Sequence, residues 1–259
     1  MKIAIVGYGI VGQATENTLK GKYLKDIIIH DPGKGHIGTY LDADLIFLCV
    51  PTDLVKSYLE DIPEEKHHDV IIRSTIDYRI LGDEFMSAGV WPEFLTERTW
   101  VEDSREPICN ILGGTIKQLE VLKEVTIFED MVRVTRTDAD MNIVKQYKGK
   151  HPFHRTTPKI AALMKVSTNT FYAMKVTFAN MLKAIAGDDY HELQKCLEKD
   201  ARMAAHIHFQ VPGPDGNYGY GGKCFPKNVQ MFRLLSRGGL QKEFFHVLEE
   251  LNTNFRDKE

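Results

Sequence analysis

The chain has 259 residues, a formal net charge of −3, and 43% apolar against 27% charged residues, the make-up of a soluble globular protein with material for one large domain or two modest ones. It lacks the basic excess that holds nucleic acid and any apolar run long enough to span a bilayer. Its four cysteines, Cys49, Cys109, Cys196 and Cys224, are widely spaced with no CxxC pair, which argues against a disulfide framework or structural zinc and for a reducing, cytoplasmic setting.

The opening "MKIAIVGYG" runs straight into a glycine turn without a small-residue cleavage site, so it does not read as a signal peptide. "KIAIV" (2–6) is a short apolar run ended by glycine, and "ATENTLK" (14–20) carries a helix. "DIIIHD" (26–31), "DLIFLCV" (44–50) and "DVIIRST" (69–75) are further continuous apolar runs, the signature of parallel strands buried on both faces. Helical spacing in "DLVKSYLEDI" (53–62) separates two of them. The pattern is βαβαβ, a Rossmann-type doubly wound parallel sheet of the α/β class. Beyond it lie "GVWPEFL" (89–95), a strand over "ICNILGG" (108–114) and a helix near "TIKQLEVLKEV" (115–125).

"KQYKGKHPFHRTTP" (145–158) is basic, broken by prolines and without a period. It reads as the join between a first domain, 1–150, and a mainly helical second domain, 151–259. The stretch 158–187 starts with proline and ends with glycine, as helix termini prefer. At about 1.5 Å per residue this helix spans roughly 40 Å, more than a small domain needs. It is apolar over much of its circumference, so a homodimer through it is expected. Residues 188–259 read as mostly helical apart from a loop over 210–224.

"GYGIVG" places Gly7, Gly9 and Gly12 at GxGxxG spacing around Tyr8, Ile10 and Val11. The motif follows the first strand and opens a helix, the context in which it binds a dinucleotide. Gly7 allows the tight turn, Gly9 lets the backbone approach a pyrophosphate, and Gly12 allows close helix–strand packing. Asp31, at the end of the second strand, would accept the ribose hydroxyls and favour NAD over NADP, with Lys34 close by. "CVPT" (49–52) and "RSTID" (73–77) sit at further strand ends, so Val50, Pro51, Thr52, Ser74 and Thr75 could line a nicotinamide pocket, or be ordinary turn residues.

"YGYGGKCFPKN" (218–228) precedes a helix. Pro226 suits the first helical turn, which puts Cys224 at or just before the N-cap, where free N–H groups, the helix dipole, Lys223 and Lys227 favour a thiolate. Gly219, Gly221 and Gly222 permit unusual backbone angles and a close ligand. Lys165 and Asn169, four apart on the long helix, share a face. They could hold a developing oxyanion or form a polar seam at an interface, and Lys175 with Asn180 makes a second such set. "PEFLTE" (92–97) offers Glu93 and Glu97 as acid or base, or as surface charges. The paired histidines, His67 with His68, His151 with His154 and His206 with His208, lack a zinc pattern and read as surface or loop residues; no metal is expected.

Taken in order, GYGIVG, CVPT, RST, PEFLTE, LMKVSTN and YGYGGKCFPKN resemble the UDP-glucose/GDP-mannose dehydrogenases. The resemblance runs from residue 1 to about 255. It implies that NAD oxidises the C6 alcohol of a nucleotide sugar twice, to the acid. Cys224 would attack the aldehyde to give a thiohemiacetal, then a thioester, which water hydrolyses with help from Glu97. Lys165 and Asn169 would stabilise the oxyanion, and Thr75 would order a water. Glu93, Phe94, Leu95, Arg202, Tyr218, Tyr220 and Gly221 would lie near the sugar nucleotide. Two departures stand out. Asn228 occupies the place of the family's aspartate, and an amide cannot take a proton at neutral pH. Family members also carry a C-terminal domain that completes the nucleotide cleft, and this chain stops about where its linker would start. Two other readings stay open: a two-electron hydroxyacid dehydrogenase, and a sugar-nucleotide or NAD-binding protein with impaired chemistry.

Overall fold

The computed structural model describes residues 1–80, 82, 85, 87–128, 136–137, 143–144, 153–203 and 208–257. It divides into two compact units, Met1–Lys165 and Val166–Glu259.

The first unit is built on strands β1 (Ile3–Val6), β2 (Ile28–Asp31), β3 (His36–Ile37), β4 (Leu45–Leu48), β5 (Val70–Ile72), β6 (Gly89–Val90) and β7 (Asn110–Gly113). A separate antiparallel pair follows, β8 (Arg136–Thr137) and β9 (Ile143–Val144), and then β10 (Phe153–Thr156). The eight-stranded sheet runs β10-β7-β6-β5-β4-β1-β2-β3. Its centre is parallel: β1 pairs with β2 and β4, and β4 with β5. Strand order therefore reverses between β1 and β4, and the crevice at their carboxyl ends is the usual ligand position of a doubly wound sheet.

The continuous apolar runs are explained by layers on both faces. Ala4, Val6, Ile46, Leu48 and Ile72 pack with Val55 and Leu59 of helix α2 (Val55–Asp61). Ile3, Ile5, Leu45, Phe47 and Ile71 pack into a second cluster with Trp91 and Phe128. Helix α1 (Ile10–Asn17) begins at the glycine loop, four residues before the expected start. Helix α3 (Trp100–Arg105) packs on it, and α4 (Ile116–Val125) starts with a capping box between Thr115 and Gln118. β2 departs from expectation in being only half-buried, because the sheet beyond it is just the short antiparallel β3.

The first unit also runs past residue 150, where the sequence placed a boundary. β10 extends the sheet by pairing in parallel with β7. Ala161 and Ala162, in the first two turns of helix α5 (Pro158–Ala186), then join the first cluster. Residues 145–152 of the expected join lie outside the described residues.

The second unit comprises the rest of α5, α6 (Tyr190–Leu197), α7 (Phe225–Leu235) and α8 (Leu240–Arg256). One core cluster holds Ala173, Tyr220, Val229 and Leu248, and another holds Ala179, Tyr190 and Phe209. No helix among the described residues is long and apolar enough to cross a membrane.

Candidate active-site elements

The glycine loop has the backbone that its residues demand. Gly7 sits at φ +87°, and a Cβ there would lie 2.8 Å from the Cys49 carbonyl. A Cβ on Gly12 would come within 2.2 Å of the Gly7 oxygen. At Gly9 the space is open: nothing lies within 4 Å of a Cβ position. Gly9 is also the N-cap of α1 and carries no side-chain cap, so the first-turn N–H groups keep no partner within the helix. The Tyr8 peptide is held on both sides. Its N–H donates to Asp31 Oδ2 at 2.8 Å, and its carbonyl accepts from Lys34 Nζ at 2.6 Å. The Tyr8 phenol donates to Glu16, and that bond with partial burial pushes the phenol up to about 12.

At the ends of β4 and β5 the structure brings Val50, Pro51, Thr52, Ser74 and Thr75 together. Thr52 Oγ1 donates to the Thr75 carbonyl at 2.6 Å. Ser74 is buried, and its hydroxyl donates to the Val50 carbonyl at 2.5 Å. Ser74 therefore ties two strand ends together, and this hydrogen bond explains its presence without a ligand.

The "PEFLTE" carboxylates separate. Glu93 Oε1 lies 3.2 Å from Lys165 Nζ, with side chains 11% and 5% exposed. Glu93 Oε2 accepts the Leu95 N–H at 2.8 Å, and the Lys165 ammonium sits 5.1 Å from the centre of the Phe94 ring. Glu97 is exposed on the following turn.

Sequence reasoning missed Arg73. It is only 4% exposed, and its guanidinium carbon lies 3.7 Å from the Trp91 ring centroid. Nη1 donates to the Trp91 carbonyl at 2.8 Å, and Nε to Thr15 Oγ1 at 3.1 Å. Burial lowers its pKa to about 10, and burial likewise raises the neighbouring Cys49 thiol to about 11. The available signal was a cation inside the apolar run "DVIIRST".

In the second unit Cys224 is the N-cap of α7, exposed, with no side-chain cap and with Pro226 in the first turn. Asn228, 1% exposed, donates from Nδ2 to the Cys224 carbonyl at 2.7 Å, while its Oδ1 is buried without a partner. Thr170 Oγ1 donates to the Asn228 carbonyl at 3.3 Å. Asn169 is buried, and its Nδ2 also lacks a partner. The loop before Cys224 is clamped by two amides. Gly219 N–H donates to Asn180 Oδ1 at 3.0 Å. Asn252 accepts the Tyr220 N–H at 2.6 Å and returns Nδ2–H to the Tyr220 carbonyl at 3.0 Å.

Gly219, at φ +70°, has no room for a Cβ beside Asn252. Tyr220 is buried with an unpartnered hydroxyl, and burial raises its pKa. Gly221 lies against Arg256, which pairs with Asp215 at 3.0 Å. Arg202, expected near a sugar nucleotide, is exposed and paired with Asp200 at 2.6 Å. Tyr218 is half-buried.

The reading of the histidines needs correction. His67 is a core residue, with Nε2 2.9 Å from the Ile62 carbonyl. His208 is half-buried at φ +62°, its ring 4.5 Å from Tyr172 and 5.4 Å from Phe225. His68 and His154 are exposed, and His151 and His206 lie outside the described residues.

The comparisons bear out the family resemblance. Residues 159–254 match the central domain of the UDP-glucose/GDP-mannose dehydrogenase family. The chain is 28% identical to the GDP-mannose 6-dehydrogenase of Pseudomonas aeruginosa over 224 residues, 73% of this chain and 46% of that protein. It is 29% identical to an uncharacterized protein of Methanocaldococcus jannaschii, covering 81% of this chain and 24% of that one. The chain thus spans less than half the length of these curated relatives. Among solved structures it resembles a UDP-glucose dehydrogenase from Pyrobaculum islandicum (TM-score 0.66, 17% identity, 99% of this chain and 68% of that chain). It also resembles a 3-hydroxyisobutyrate dehydrogenase from Mycobacterium tuberculosis (TM-score 0.63, 14% identity, 99% and 95%). Both likenesses concern the fold.

Proposed function

We propose, on the premise of this kinship with the UDP-glucose/GDP-mannose dehydrogenases, that the chain oxidises the C6 alcohol of a nucleotide sugar to the acid, with NAD as hydride acceptor. The observation that carries the reading is Cys224, an exposed thiol at the uncapped N-terminus of α7 on a clamped glycine loop. In that position the sulfur stands at the N-terminal end of a helix, where free N–H groups can stabilise negative charge that develops during attack.

The first unit would hold the dinucleotide. Its uncapped α1, the open face of Gly9 and the Asp31 carboxylate at the loop fit a pyrophosphate with its ribose. The cofactor supplies hydride acceptance, one pair of electrons per oxidation. After the alcohol has lost its hydride and proton, the Cys224 thiolate adds to the aldehyde carbon and a C–S bond forms. The loss of a second hydride leaves a thioester. Water then breaks the C–S bond, releasing the carboxylate and returning the thiolate. Lys165 and Asn169 would stabilise the oxyanions, with Glu93 holding the Lys165 ammonium in place. Thr75 would order the water, and Glu97 would take its proton. Leu95, Tyr218 and Gly221 would border the sugar nucleotide.

Asn228 motivates a second reading. Its amide takes no proton, and it braces the Cys224 carbonyl instead, so a protein that binds both ligands with weakened chemistry also accounts for the site.

The deciding experiment counts NADH formed per sugar across a panel of UDP- and GDP-sugars, with the unsubstituted chain and Cys224→Ser. The reading requires two NADH per sugar and a loss of about 100-fold or more on substitution. One NADH per sugar with undiminished turnover of Cys224→Ser would identify a two-electron dehydrogenase. Binding with no NADH from any sugar would identify the impaired protein.

A further inference from the structure

We infer that Arg73 is a positioning residue that couples occupancy of the glycine loop to the "PEFLTE" segment. The inference rests on reading that loop as the dinucleotide site. The path is a set of short buried contacts. Thr15 Oγ1 donates to the Val11 carbonyl at 2.8 Å, inside the loop motif, and accepts from Arg73 Nε at 3.1 Å. On its other side Arg73 donates to the Trp91 carbonyl at 2.8 Å and stacks on the Trp91 ring. Only Pro92 then separates Trp91 from Glu93, whose carboxylate holds Lys165 at 3.2 Å.

Packing makes this path stiff. Thr15, Arg73 and Trp91 are 0%, 4% and 1% exposed, so none can move without displacing another. Trp91 is fixed further by its indole N–H, which donates to Asn110 Oδ1 at 3.2 Å. A guanidinium can bond two acceptors and stack on a ring simultaneously, whereas an ammonium offers neither the fork nor the plane. A lysine at 73 would keep the charge and lose the link. Burial leaves the Arg73 pKa at about 10, so it stays charged at neutral pH. A ligand that draws the first turn of α1 toward its phosphates therefore pulls, through Thr15 and Arg73, on the peptide that leads to Glu93.

The chain has two tryptophans, and Trp100→Phe leaves Trp91 as the sole reporter. ADP-ribose, which fills the phosphate and ribose positions without nicotinamide, is the probe. In the Trp100→Phe chain its binding should change Trp91 emission. Added Thr15→Val, which leaves the Arg73–Trp91 stack in place, should keep the Kd by calorimetry within about threefold while cutting the emission response at least about fourfold. Thr15→Ser, which keeps the hydroxyl, should restore it. If Thr15→Val fails to fold, Arg73→Lys serves as the uncoupled variant. A full emission response in the uncoupled variant, or binding to the Trp100→Phe chain with no change at Trp91, overturns the coupling alone. Absence of ADP-ribose binding to the unsubstituted chain sinks the dinucleotide reading and the coupling with it.

Discussion

Lys165 Nζ lies 3.2 Å from Glu93 Oε1, and neither side chain has appreciable access to solvent. Removing one member of such a pair strands the other charge in a low-dielectric setting, at a cost of about 3–5 kcal/mol, while replacing both by apolar groups is far less damaging. Glu93→Gln and Lys165→Met should each lower stability by about that range, and the double variant by clearly less than the sum. Urea unfolding of the four proteins measures this. Additive losses would mean that the pair does not interact as the geometry indicates.

Two of the loop glycines, Gly9 and Gly12, should respond differently. Alanine at Gly12 would meet the Gly7 oxygen at 2.2 Å, so Gly12→Ala should cost about 2 kcal/mol or more in stability. Alanine at Gly9 meets nothing within 4 Å and suits the extended backbone there, so Gly9→Ala should stay within about 1 kcal/mol of the parent. The added methyl would occupy the open face instead, and NAD affinity should fall by about tenfold or more. Parallel thermal melts and NAD titrations decide it. Equal loss of stability in both variants would contradict the asymmetry.

These contrasts also mark what the sequence could convey. The buried strands were legible because "KIAIV" and "DLIFLCV" are apolar on both faces, and the structure covers both faces. Cys224 as an N-cap followed from Pro226 and the helical run after it. Contacts between distant positions left no local trace. Nothing around Asn252 announces that it would clamp Tyr220, and nothing in "PEFLTE" says that Glu93 rather than Glu97 meets Lys165. Arg73 was visible as a misplaced charge, but its partners Thr15 and Trp91 come from separate elements. The short β3, which leaves β2 half-exposed, carries no periodicity at all in two residues.

The exposed apolar residues of α5 bear on assembly. Phe171, Phe178 and Ile185 recur every seven residues and are 57%, 45% and 82% exposed, with Met181 on the same side. A seam at this spacing suits a second helix, and the proposed homodimer would bury it. The chain should have a dimeric mass by light scattering at micromolar concentration. Phe178→Glu should shift it toward monomer without a large change in helicity. A monomeric mass for the unsubstituted chain would remove the proposal.

Tyr8 should titrate late. Its hydrogen bond to Glu16 and partial burial raise its pKa to about 12, above the unfolded value of about 10. The folded state therefore holds this proton where the unfolded chain has begun to release it. The stabilisation is fully present below pH about 10 and is lost as pH rises through the folded pKa. Tyrosinate absorbance of the parent minus that of Tyr8→Phe should show the late transition. Glu16→Gln should move it back toward about 10. A difference curve centred near 10 in the parent would refute the Tyr8–Glu16 bond.

Restoring a carboxyl at 228 should make stability depend on pH in a definite direction. Asn228 is 1% exposed and donates to the Cys224 carbonyl at 2.7 Å. An aspartate there loses that donor when ionised, and burial raises its folded pKa above the unfolded value of about 4. Native protein then keeps a proton that the unfolded chain gives up. Stability falls with rising pH between the two values, so Asn228→Asp should match the parent more closely at pH 4 than at pH 7. The deficit at neutral pH should reach about 1–3 kcal/mol, the range for a buried group left poorly bonded. The positive end of α7 opposes this by favouring the carboxylate, and the denaturant midpoint across pH measures the balance. A deficit unchanged from pH 4 to 7 would mean that the helix dipole cancels burial. In that case Asn228→Asp would hold an ionised base near Cys224, and its rate of acid formation should exceed that of the parent.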